Sequence, residues 1–236
     1  MLNAADFNAK VDEYAQRILI PQGFKKSGLH YYKKEGPHYY ALIKDTFKGL
    51  FIDYYLVYSH EAAGENYKAI LKKPQSLLRY YPVSVNVREL PILYSVAQYP
   101  ADSPYTFFSM ARTYHIDKNC IESQKVWEDS FSYRWERDEK LKTDAEYLDT
   151  YVKELFDIIK QYGFRFFDDC NLGVCYHSIH DAIEHKKNET YINYYLEYKN
   201  DFDAYCKLKG MDIPAPKSRV SKTGLFQKLI SFFTKN

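Results

Sequence analysis

The densest run of reactive side chains lies between Asp168 and His185: Asp168, Asp169, Cys170, Cys175, His177, His180, Asp181, Glu184 and His185. On a helix His177 and Asp181 fall one turn apart, as do His180 and Glu184, so paired ligands for a divalent ion can share one face. His177, His180, Asp181 and Glu184 are therefore candidate metal ligands, and metal-dependent hydrolysis is the chemistry they would serve. The set matches no established ligand motif such as HExxH, and Ser178 with Asp181 also fits an ordinary capping box. A solvated helix face is the competing reading. Nucleophilic catalysis has no GxSxG elbow to rest on. With 9 glycines in the whole chain there is little from which to build a phosphate-cradling loop, and no cofactor is expected.

Tyrosine is the second source of chemistry. The chain carries 25 of them, and five pairs are adjacent: Tyr31-Tyr32, Tyr39-Tyr40, Tyr54-Tyr55, Tyr80-Tyr81 and Tyr194-Tyr195. Neighbours on a strand point to opposite faces, so each strand pair sends one ring inward and one outward. If Tyr31 or Tyr32, Tyr39 or Tyr40, and Tyr55 share the outer face, they make a stacking platform with Lys25, Lys33, Lys44 and Arg88 nearby, and Tyr32, Tyr39, Tyr55 and Arg88 are its binding candidates. Such a platform suits a base or a sugar. Burial of the same face under helices is the alternative. A net charge of +2 gives no strong nucleic-acid signal.

The third feature is the C-terminal stretch Leu225 to Asn236. On a helical wheel Leu225, Phe226, Leu229, Ile230, Phe232 and Phe233 gather on one side, with Phe226, Ile230 and Phe233 as its binding candidates. Pro214-Ala215-Pro216 and the polar run to Gly224 separate it from everything before. Its apolar side must dock on its own domain, on a protein groove or second copy, or on a membrane surface. From Gly210 onward five basic residues face one acid, Asp212, giving this part +4 and leaving residues 1–209 at −2. A basic tail on a mildly acidic body fits an interaction tail.

These groups need a scaffold, and the patterning supplies one. Asn3 with Asp6 reads as a capping box ahead of Phe7, Val11, Tyr14, Ala15, Ile18 and Leu19, and Pro21 with Gly23 stops that helix. From Gly23 to about Val96 the period becomes two, clearest at Val83, Val85 and Val87. Phe24 to Lys26, Leu29 to Lys33, His38 to Lys44 and Leu50 to Tyr58 complete an antiparallel meander. Past Ile116 the chain turns helical. Trp127, Phe131 and Trp135 form a stripe. Thr143 and Glu146 cap a helix that Gly163 closes, and a last helix spans about Asn188 to Lys209, with Tyr191, Tyr195, Tyr198, Phe202 and Tyr205 on one face. The expected fold is α+β: an N-terminal helix plus a meander sheet, covered by C-terminal helices, with a short amphipathic C-terminal helix. Residues 1–209 form the domain, sheet-rich over 1–116 and helical over 117–209. Residues 210–224 are the linker and 225–236 the tail.

The opening helix, Gly23-Phe24-Lys25-Lys26-Ser27-Gly28 and the strand Leu29-His30-Tyr31-Tyr32-Lys33 resemble a bacterial domain family known only as domain of unknown function 4304. The resemblance covers about the first half of the chain. It implies a small α+β domain and carries no catalytic residue over.

Four cysteines without CxxC spacing, and acids within the first turns in place of a signal's apolar core, lead us to expect a cytoplasmic protein with free thiols. No run of about 18 apolar residues offers a membrane span. The functional expectation is a non-catalytic binding protein acting through contacts with an unknown protein partner or a second copy. A metal-dependent hydrolase or a membrane-surface protein are the alternatives.

Overall fold

Asn3 opens α1 (Ala4–Ile18), and its side chain accepts from the backbone N–H groups of Ala5 and Asp6. The Asp6 carboxylate in turn accepts the Asn3 N–H at 2.7 Å, completing the expected capping box. Phe7, Val11 and Ala15, four residues apart, are buried on one side of this helix. A turn over Ile20–Gln22 then ends at Gly23, whose φ of 86° lies in the left-handed region that favours glycine.

A computed structural model of the chain describes residues 2–47, 51–91, 94, 142–184 and 192–212. Five strands follow α1: β1 (Lys25–Ser27), β2 (His30–Glu35), β3 (His38–Phe47), β4 (Phe51–His60) and β5 (Val83–Asn86). They pair in chain order, all antiparallel, which is the meander expected. Tyr32 lies opposite Ala41, Lys34 opposite Tyr39 and Tyr55 opposite Ile43. With a side-chain period of two, Tyr32, Tyr39 and Tyr55 therefore share one face, and Tyr31, Tyr40, Tyr54, Leu56 and Tyr58 share the other.

That second face is the floor of the main core. Helices α1, α3 (Ala145–Ile158) and α4 (Phe164–Asp169) cover it. The Phe7 ring stacks 6.4 Å from Tyr54, and Phe167 meets Tyr40 edge-on at 5.3 Å. Lys10 and Tyr14 of α1 both reach the Asp149 carboxylate of α3, at 3.0 and 3.1 Å. Further along, α5 (Leu172–Glu184) packs against β4 and β5, and α6 (Ile192–Lys209) packs against α5. In α6, Tyr198 and Phe202 are buried while Tyr195 and Tyr205 are half-buried, as their spacing predicted.

Several local expectations are corrected. The two-residue period does not continue to Val96: α2 (Gly64–Lys72) intervenes, burying Tyr67 and Ile70 at helical spacing. The α3 cap is Asp144, not Thr143, and the Asp144 carboxylate accepts from Glu146 and Tyr147 at 3.0 Å each. Gly163 does not close a helix. A wide turn over Ile159–Gly163 runs directly into α4, and Gly163 keeps right-handed angles of −68° and −39°. Its lack of a side chain serves close packing, because a Cβ there would sit 3.0 Å from Leu56 Cδ1. Ser178 caps nothing, since α5 already begins at Leu172, where Asn171 Oδ1 accepts the Val174 N–H. The Trp127 stripe, the boundary near residue 116, the linker beyond Asp212 and the tail at 225–236 lie outside the described residues.

Candidate functional site

The expected tyrosine face exists in register, but one of its members is sealed. Tyr39 is 1% exposed, stacked between Tyr32 at 5.8 Å and Tyr81 at 6.3 Å, with Tyr67 of α2 beside it. Burial pushes its phenol far above the ordinary tyrosine range. Tyr32 and Tyr55 remain half-buried on the same face. Arg88 is not with them: it lies just past β5, its guanidinium 4.6 Å over the Tyr151 ring of α3. Lys33 and Lys44 belong to the opposite face, so of the basic residues expected near the platform only Lys25 shares its side.

Past Tyr39 the same face opens into a cleft of about 380 Å³. Asp45 and Ser84 contribute from the sheet, Leu77, Arg79 and Tyr81 from the chain leading into β5, and Tyr194 and Tyr195 from the first turn of α6. Arg79 organises the mouth. Its Nη1 donates to the Tyr194 hydroxyl at 3.0 Å, and its guanidinium lies 5.2 Å over the Tyr194 ring and 5.1 Å over the Tyr80 ring. Contacts of this kind hold a cation over aromatic faces in a fixed orientation. The backbone beneath is tied down as well. Tyr198 donates to the Arg79 carbonyl at 2.7 Å, and Tyr81 donates to the Gln75 carbonyl at 3.0 Å. Leu77, half exposed, adds apolar surface at the rim.

The Asp168–His185 segment is arranged differently. His177 and His180 are half-buried on α5, and the His180 ring sits 5.3 Å from Tyr176. Ser178 is buried and donates to the Pro82 carbonyl at 3.0 Å, so this stretch anchors α5 to the start of β5. The side chains of Asp181 and Glu184, and all of His185, lie outside the described residues. Among the described residues no three His, Cys, Asp or Glu side chains converge as a metal site. Cys170 and Cys175 are buried, and burial holds both thiols well above their usual range, which suppresses thiolate chemistry. Phe226, Ile230 and Phe233 fall outside the described residues too. Among the described residues no helix is long and apolar enough to cross a membrane.

The chain matches no protein-family model, no curated protein and no solved structure.

Arg79 escaped the sequence reading. Two of the five tyrosine pairs, Tyr80-Tyr81 and Tyr194-Tyr195, meet at the cleft although about 110 residues separate them. An arginine directly before one pair was the available signal, but nothing in the sequence brings the two pairs together.

Proposed function

We propose that this chain is a non-catalytic binding domain that engages a partner protein through the cleft between Arg79, Tyr81 and Tyr194. The observation that carries the reading is the Arg79 guanidinium held between the rings of Tyr80 and Tyr194 at the cleft mouth. Tyrosine and arginine are the residue types that dominate binding energy at protein interfaces. Both gain when their rotamers are set beforehand, because less side-chain freedom is lost on association. Here the Tyr198 and Tyr81 hydroxyls hold the Arg79 and Gln75 carbonyls, and the two tyrosine rings set the guanidinium. The rim supplies apolar area from Leu77, and Asp45 offers a carboxylate within the cleft.

A photo-crosslinking amino acid placed at Leu77 of the full chain tests this in living cells. One discrete protein adduct is expected. Arg79→Ala and Tyr194→Ala should each weaken its capture by about 2 kcal/mol, roughly thirtyfold in affinity. An adduct that persists undiminished in the double variant, or none at all, overturns the reading.

A further inference from the structure

The Arg79 guanidinium holds a charge that its own neighbours do not match. Of its N–H donors, one goes to the Tyr194 hydroxyl at 3.0 Å and another to the Tyr80 hydroxyl at 3.4 Å. The centres of the same two rings lie 5.2 and 5.1 Å from its central carbon. Every one of these partners is a tyrosine, and no carboxylate among the described residues pairs with Arg79. A guanidinium carries five N–H donors, so some remain for a ligand. Its planar fork matches the two oxygens of a carboxylate, and a fork already held in one orientation loses less freedom on closing over them.

The rest of the cleft narrows what can carry that carboxylate. A volume of about 380 Å³ lies near the low end for ligand cavities, room for one or two side chains and not for a helix or a strand. Leu77, Leu78, Tyr81 and Tyr195 give the space beside Arg79 an apolar and aromatic lining. Asp45 stands on the sheet within the same cleft, so a second negative charge carried past the mouth would meet an acid there. A chain end meets all these conditions. It is narrow, it bears one carboxylate directly beside its last side chain, and no further chain has to leave the cleft.

We infer that the partner enters this cleft by its C-terminus, with the terminal carboxylate on the Arg79 fork and a bulky apolar last side chain against Leu77, Leu78, Tyr81 and Tyr195. Capture of a terminal carboxylate is a recurring mode of peptide recognition. The inference rests on the reading of this cleft as the partner site and adds which part of the partner it takes.

The test titrates the full chain into N-terminally fluorescein-labelled tetrapeptides that cover every natural last residue, each as free acid and as C-terminal amide. Fluorescence anisotropy reports binding. Saturable binding is expected for free acids ending in a bulky apolar residue, with the matching amides about tenfold weaker or silent. Arg79→Lys keeps the charge and loses the fork. With an unchanged unfolding midpoint, it should weaken the acids about tenfold and bring them close to the amides. The comparison of acid with amide needs no variant and decides the matter by itself. An excess of the tightest acid should also suppress the crosslink from Leu77, which its amide should leave intact. Amides that bind as tightly as acids, no acid that binds, or equal binding of an amidated peptide with an internal aspartate overturns the inference. A crosslink that still depends on Arg79 then leaves the broader reading of the cleft standing, whereas its absence brings down both.

Discussion

Individual side chains at one end of the sheet show how burial sets ionisation in this molecule. His60 is 4% exposed, and its Nδ1 accepts the Ala62 N–H at 3.1 Å. His38 stands edge-on 5.2 Å away, with its own Nδ1 in hydrogen-bond contact with the Tyr58 hydroxyl at 2.7 Å. Loss of hydration, and secondarily the neighbouring His38, lower the His60 pKa to about 4. The unfolded chain then binds a proton near the ordinary histidine value, before the folded one does. Stability contributed by neutral His60 is therefore complete above that value, declines as pH falls, and is gone below about 4. The shift corresponds to about 3 kcal/mol. Thermal unfolding between pH 7 and pH 4 should show the decline. In His60→Asn, whose side-chain oxygen can still accept from Ala62, the dependence should flatten by about that amount. An unchanged pH profile in the variant would remove His60 as its source.

Elements here are held by their ends and by a few close approaches. Asp144 satisfies two orphan N–H groups of α3, so Asp144→Ala should cost about 1 kcal/mol in denaturant unfolding. An unchanged unfolding midpoint in that variant would show the assigned cap to be wrong. Gly163 offers the opposite case to an ordinary helical glycine. Alanine normally improves a helix by about 1 kcal/mol. Here the added methyl would press on Leu56, itself fully buried in β4, and on Ile159 at 3.2 Å. Overpacking of that kind costs about 1–3 kcal/mol, so Gly163→Ala should destabilise the protein despite its better propensity. A stabilised Gly163→Ala variant would show that Leu56 yields freely.

Over the whole molecule, charge and apolar surface are unevenly shared. Residues 1–209 carry −2 and the rest +4, so a chain ending at Lys209 should lose the isoelectric point near 8.1 and focus below neutrality. Retention on a cation exchanger should fall with it. Undiminished retention would place the basic surface in the body instead of the tail. Much of the architecture was legible beforehand. The Asn3 capping box, the alternation of Val83 and Val85 and the spacing of Tyr198 and Phe202 are local signals read at fixed periods. Less was legible between Gly64 and Lys72, because nine residues with two buried side chains carry too little periodicity to outweigh the strands around them. The cleft was legible only in pieces, as tyrosine pairs and an arginine with no sign of meeting.

The order of residues by itself determined where α1 starts and stops, that β2 to β5 are strands and that the chain before Gly210 is helical, because caps, turn glycines and hydrophobic periods act within a few positions. Folding in three dimensions determined that Tyr39 is sealed while Tyr194 lines an opening, and that Arg88 leaves the tyrosines for Tyr151. Those outcomes depend on what packs across the sheet from distant parts of the chain. Burial and electrostatic pairing are properties of neighbours in space, and a sequence names only neighbours along the chain.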